Sequence, residues 1–510
     1  MLVKVVSAAL HGVEAVPVEI EVDVGDGQPV VVVVGLPDVA VRESRDRVKA
    51  AVVNTGYRFP ANRRVTVNLA PADIKKEGPA YDLPIALGLL AATDQIATRD
   101  TARTGILGEL SLYGEVRPVR GVLPASMALA ERGVEEILVP ADNAPEAASV
   151  GGIRAVPVRS LAEASGHLTG LAPLESHEPV PFERLVGAPG YDIDFAEVKG
   201  QHHVKRCLAV AAAGAHNALM IGPPGSGKSM LAKRLPTILP PLMLEEGLET
   251  TKILSVAGLL PKGEALAVQR PFRAPHHTIS EAGLVGGGSH PRPGEISLAH
   301  NGVLFLDEIP EFARRTLEVL RQPLEDGSVT IGRASSTFTF PAKIMLVCAM
   351  NPCPCGFLTD PSRECSCTTA QIQKYLSRIS GPLLDRIDLH VEVPAVKASD
   401  ISRTSSGAGS AELREEVVKA RARQADRFRE ENIYTNAAMN PRQIREHVHL
   451  AREARRLLES AMDEMGLSAR AFTRSLKVAR TIADMAGEEI VQPEHVAEAV
   501  QYRSLDRDLF

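Results

Sequence analysis

The feature that most constrains this chain is a glycine-rich loop set between an apolar strand and a helix. Residues 217–221 are a short apolar run. Gly222, Pro223, Pro224, Gly225, Ser226, Gly227, Lys228 and Ser229 follow in that order, and a helical pattern begins at Ser229. Successive backbone N–H groups of such a loop face an anion, and the helix N-terminus adds its dipole. The glycines allow a close backbone approach that a Cβ would block. In this pattern Lys228 reaches the β- and γ-phosphates of a nucleotide and Ser229 ligates Mg²⁺. A chance glycine turn would not supply all eight positions in a strand–loop–helix setting.

Downstream, residues 302–306 form a continuously apolar run that ends in Asp307 and Glu308. Such a run suits a parallel strand covered on both faces. Asp307 is expected to hold Mg²⁺ and its water, while Glu308 polarises the attacking water as general base. Residues 343–350 form another buried strand, with Asn351 just past its end, where ligands bind in open α/β sheets. Asn351 is positioned to orient water near a γ-phosphate; the other reading is that it opens the turn before Pro352. Arg386 follows an apolar helical stretch and has acids on both sides, so locally it reads as a surface ion pair.

At 510 residues the chain exceeds a single core and should hold about three domains. Residues 1–170 alternate short β-rich runs (3–6, 30–34, 65–69, 136–139) with helical stretches (39–55, 83–92), which predicts an α+β domain. A Pro-rich aperiodic stretch at 171–192 is a linker. An α/β segment spans 193–395 and carries all the nucleotide motifs. A Ser/Gly-rich linker occupies 396–410, and 411–510 reads as helices, with Pro441 and Pro493 at helix starts.

No apolar stretch approaches a membrane span, and the first residues lack the apolar core of a signal peptide, so a cytoplasmic protein without a membrane partner is expected. The net charge of −6 gives no global nucleic-acid footprint, so any such site must be a local basic surface. Four of the six cysteines, Cys353, Cys355, Cys365 and Cys367, fall on one excursion. Four soft ligands suit a tetrahedral structural Zn²⁺; unliganded or redox-active thiols are the other reading, since one-residue spacing departs from the usual gap. Cys207 and Cys348 sit in apolar periodic sequence and read as core.

Together the phosphate loop, Asp307-Glu308, Asn351, the run 380–388 around Arg386 and the late Ser-Ala-Arg470 resemble an AAA+ ATPase. More narrowly the chain is similar to the YifB/ComM group of magnesium-chelatase-like proteins, on blocks that include 65–73, 271–277 and 351–356. The resemblance implies an AAA+ P-loop core over 193–395, a helical lid over 411–510, ATP and Mg²⁺ as cofactors, and a homo-hexameric ring. It makes Arg386 the arginine finger of a neighbour's site. It makes Arg470 the sensor arginine of the lid, touching nucleotide of its own subunit, with Arg474 the weaker candidate one turn on. It also implies action on branched or single-stranded DNA: the group's described activity is branch migration by an ATP-driven helicase, in homologous recombination during natural transformation. A chelatase-type motor that remodels a protein partner is the alternative, and an ATP-dependent protease a third class.

Two insertions in the ATPase segment are expected to project into the ring's pore and grip phosphates. One is a hairpin over 327–341 around Arg333. The other is a long irregular insertion over 269–289 with Arg270, Arg273, His276 and His277. His276 and His277 could equally pack or cap a loop.

Residues 74–84 resemble the nucleophile segment of the Lon protease domain, a fold of the ribosomal S5 domain 2 type. There a serine follows a Gly-Pro pair and works with a lysine base. Here Ala80 holds the serine position and Leu123 the lysine position. Alanine offers no nucleophile and leucine takes no proton, so hydrolysis by this dyad is ruled out.

Overall fold

A computed structural model describes residues 2–97, 103–186, 190–288, 291–332, 337–358, 360, 363–395, 408–431, 433–466 and 468–505. The N-terminal region is built on a seven-stranded mixed sheet. Its strand order is Val30–Val34, Arg64–Ala70, Glu14–Gly25, Leu2–His11, Thr104–Ile106, Glu136–Pro140, Arg154–Val158. The long hairpin of Leu2–His11 and Glu14–Gly25 is antiparallel, and the last three strands run parallel to Leu2–His11. The helix Asp82–Ala92 is buried at every position. A helix that is apolar all round belongs in a core, and this one lies on the sheet so closely that a Cβ on Gly88 would stand 2.8 Å from Val22 Cγ2. Its one charged residue, Asp82, is held by Arg47 at 2.7 Å and by Ser44.

The second region is a five-stranded sheet ordered Phe272–Arg273, Val303–Leu306, Met345–Met350, Ala218–Ile221, Leu389–Glu392, all pairs parallel. Its three central strands are buried at every residue, as strands covered on both faces must be. The stretch 269–289 is less irregular than its sequence implied, because Phe272–Arg273 is the edge strand of this sheet.

The C-terminal helices Ser410–Arg427, Pro441–His447, Arg452–Met465, Ala469–Ala486 and Pro493–Gln501 do not form a body apart. One apolar core joins Leu413, Val417, Val478 and Ile482 to Leu208, Ala212, Val391 and Phe195 of the ATPase segment. Of the 396–410 linker, 396–407 lies outside the described residues; Ser410 begins a helix, and its hydroxyl accepts from the Phe195 N–H at 2.9 Å. The 171–192 linker is likewise partly structured, with a short helix Phe182–Leu185 whose Phe182 ring abuts Gly247.

Inside the helical region, Asp484 is 1% exposed and gathers Arg427 at 2.8 Å, Asn436 at 2.7 Å and Arg480 at 3.2 Å. Removing one partner of a buried ion cluster leaves the others uncompensated. Asp484→Ala is therefore expected to cost about 3–5 kcal/mol, read as a lower denaturation midpoint by circular dichroism. A loss under about 1 kcal/mol would mean that the two arginines are already well solvated.

Candidate nucleotide site

The sheet delivers the sequence motifs to one edge. Ile221, Leu306 and Met350 end adjacent parallel strands, so Gly222, Asp307 and Asn351 emerge side by side at their C-terminal ends, where ligands bind in open α/β sheets. Gly222 passes so close to the neighbouring strand's continuation that a Cβ would stand 2.1 Å from the Val393 carbonyl oxygen. The helix Lys228–Arg234 starts immediately after the loop.

Lys228 is buried and turns back on its own loop. Its ammonium donates to the carbonyl oxygens of Gly222 (2.7 Å) and Pro223 (2.9 Å) and to Asn351 Oδ1 (3.2 Å). Burial holds its pKa below the usual lysine value, with Asp307 and Glu308 opposing the shift. Ser229 donates to Asp307 Oδ2 at 2.5 Å. This hydroxyl–carboxylate pair is the oxygen set a hard cation takes, so the residues fit Mg²⁺ and a triphosphate.

Glu308 is exposed, and its φ of 51° lies in the left-handed region. That conformation is uncommon for a residue with a Cβ and clusters at functional sites. Asn351 has a partner that sequence did not reveal: its backbone hydrogen-bonds the Tyr375 phenol, whose pKa burial pushes up to about 12. Gly356 is a second such contact. With φ at +85°, it packs against the phosphate loop, and a Cβ there would come within 2.6 Å of Pro224 Cδ. Neither contact has a local signal in the chain, because each joins segments far apart in sequence.

The arginines do not converge on this edge. Asp388 donates its N–H to the Asn217 carbonyl oxygen, and Asn217 Nδ2 donates to the Arg386 carbonyl oxygen. Both contacts lie at the N-terminal end of the strands, because Ala218 pairs with Leu389 and Ile221 with Glu392. A four-residue strand separates that end from the loop by about 13 Å. Arg386 is 7% exposed, paired with Glu325 and donating to the Pro382 carbonyl oxygen at 2.5 Å, while its buried Nε has no hydrogen-bond partner among the described residues. Arg470 is exposed beside Asp385 at 3.9 Å, and Arg474 is paired with Asp388, which also contacts His216 at 3.3 Å. Arg470, expected to touch nucleotide of its own subunit, shares in this single chain the end of the sheet that holds Arg386.

Two of the arginines expected to grip phosphates are also committed elsewhere. Arg270 is buried against Glu246 at 2.6 Å, and Arg273 chelates Glu295 at 2.6 and 2.7 Å. A guanidinium already paired with a carboxylate is less available to a phosphate. His276 stays exposed, with its ring 4.1 Å from that of His277. The expected hairpin is present as Ser328–Gly332 and Thr337–Pro341, and its second strand rests on the N-terminal region: Phe338 lies 4.9 Å from the His11 ring, and Phe340 packs with Val13. Arg333 lies outside the described residues. Leu123 is fully buried, with its N–H on Glu146 at 2.8 Å, and Ala80 packs on the adjoining core. The four clustered cysteines come together, with sulfurs within 4.8 Å of one another.

Three family models match consecutive stretches of the chain: subunit ChlI of Mg-chelatase over 20–143, magnesium chelatase subunit ChlI over 194–401, and its C-terminal part over 407–503. The fold and these matches define a magnesium-chelatase-type AAA+ protein with a Lon-like arrangement, for which ATP and Mg²⁺ are the implied cofactors. The chain is 44% identical over 508 residues to competence protein ComM of Haemophilus influenzae, covering 99% of this chain and 97% of the relative. It is 44% identical over 503 residues to YifB of Escherichia coli K12, covering 98% and 96%. A shorter likeness, 27% over 113 residues (22% of this chain, 20% of the relative), is to Lon protease 2 of Bacillus subtilis. The chain belongs to the YifB/ComM family. Among the described residues, no helix is long and apolar enough to cross a membrane.

Proposed function

We propose that the chain is an ATP-driven, ring-forming DNA translocase that migrates branched junctions during recombination, with each ATP site completed by a neighbouring subunit. The observation that carries this reading is the division of the site between the two ends of one sheet. Lys228, Ser229, Asp307, Glu308 and Asn351 stand at the C-terminal ends of the strands. Arg386 and Arg470 stand at the other end. A residue some 13 Å away along the strands serves a second subunit better than its own. In the single chain Glu325 holds the Arg386 guanidinium; on assembly the neighbour's γ-phosphate takes that carboxylate's place. The family's competence relative supports DNA as the track.

The chemistry follows from the named groups. Loop N–H groups and Lys228 bind the phosphates, releasing the ammonium from the carbonyls it now contacts. Ser229 and Asp307 would hold a metal ion, which when bound would neutralise charge on the phosphates. Glu308 accepts the proton of the attacking water, and Asn351 orients that water.

The match of residues 194–401 to a chelatase subunit favours a second reading, a motor that remodels a protein partner. A four-way DNA junction separates the two. The wild-type chain with ATP is expected to convert the junction to duplex products, and a non-hydrolysable analogue to support none. ATP turnover without junction conversion or DNA stimulation would favour the protein-remodelling reading.

A further inference from the structure

The excursion that follows Asn351 has almost no apolar core of its own, yet it brings four thiols together. Cys353 is fully buried, and Cys355, Cys365 and Cys367 are half-buried. Three sulfur separations are 3.4 Å (Cys353–Cys355), 3.6 Å (Cys353–Cys365) and 3.6 Å (Cys355–Cys365). A tetrahedral ion with Zn–S bonds near 2.3 Å requires sulfurs roughly 3.8 Å apart. The cage is thus nearly of coordinating size, while its sulfurs stand too far apart for disulfide bonds.

Backbone groups are also directed at the sulfurs. The Cys355 N–H donates to Cys367 Sγ at 3.4 Å, and the backbones of Phe357 and Ser366 hydrogen-bond the Cys355 sulfur. Such contacts orient and stabilise metal-bound thiolates. The cage adjoins the nucleotide site on two sides: Asn351 lies two residues before Cys353 and meets Lys228 at 3.2 Å, and Gly356 rests on Pro224 of the phosphate loop.

We propose that Cys353, Cys355, Cys365 and Cys367 bind one Zn²⁺ per chain, and that this ion clamps the Asn351 loop against the phosphate loop so that nucleotide turnover depends on it. Binding displaces the thiol protons and supplies the order that the loop's sparse apolar content cannot. Only the second half rests on the ATPase reading.

The test begins with elemental analysis of the full chain purified under reducing conditions without added metal. About one zinc per chain is expected, and a value below roughly half, with the thiols shown to be reduced, overturns the site. Cobalt exchanged into the cage should give the absorption bands of a tetrahedral tetrathiolate; octahedral bands would contradict it. Because a Cys353→Ser/Cys365→Ser variant could fail to fold, zinc is also stripped from the wild-type chain with a thiol-directed mercurial. The mercurial is then removed with excess thiol and zinc returned. Turnover should fall by about tenfold or more on stripping and recover on zinc addition; zinc loss with turnover unchanged overturns the clamp. Gly356→Ala should keep its zinc yet hydrolyse ATP more slowly, since its Cβ strikes Pro224; wild-type turnover in this variant contradicts the contact. A chain that holds zinc but never hydrolyses ATP sinks the motor reading and leaves the metal site standing.

Discussion

Glu308→Gln is expected to bind ATP as the wild-type chain does and to hydrolyse it about 10²–10⁴-fold more slowly, the range that a positioned general base supplies. Glutamine keeps the length and hydrogen-bonding reach of the side chain but cannot accept the water's proton. Glu308 makes no ion pair among the described residues, and without it Lys228 is held by the carbonyl oxygens of Gly222 and Pro223 and Ser229 by Asp307. The substitution should therefore leave the binding apparatus intact. Fluorescent-nucleotide binding and phosphate release measured on the same preparation separate the two steps. Parallel loss of both would show Glu308 to be a binding residue and would remove it from the chemistry.

The second large effect is expected at Arg386. Its replacement by alanine should preserve nucleotide affinity and lower turnover by about 10³–10⁵-fold, the contribution of an arginine finger in phosphoryl transfer. The substitution also frees Glu325, which is 55% exposed and can take up water. The cost to the fold should be modest for that reason, and circular dichroism should show unchanged helix content. Arg386→Lys retains the charge but not the planar fork, so it should recover little. Full activity in Arg386→Ala would count against a site shared between subunits.

The parts of the site that could be read from the chain are those encoded locally. Apolar runs of four to six residues ending in Gly222, Asp307 and Asn351 specify buried parallel strands, and parallel strands deliver their ends to one edge. What the chain does not encode locally could not be read from it. Arg270 and Arg273 read as free basic residues because their carboxylates, Glu246 and Glu295, lie 24 and 22 positions away. A linear pattern also cannot tell which end of the sheet the helix carrying Arg470 faces. The helical region looked separable because its linker is polar, yet Val478 and Ile482 pack into the same core as Leu208 and Val391. Ala80 and Leu123, by contrast, could be judged from chemistry alone: neither side chain can serve a hydrolytic dyad, however the backbone is folded.

The sharing of each site between two chains is tested most directly by mixing the two inactive variants. Glu308→Gln carries an intact Arg386 but no base; Arg386→Ala carries an intact base but no finger. In rings assembled at random from equal amounts, roughly a quarter of the head-to-tail interfaces pair a complete loop with a complete finger. ATP turnover is expected to reappear on mixing, to roughly that fraction of the wild-type rate. Mixed rings, verified by differential tagging, that hydrolyse no faster than either variant alone would contradict it.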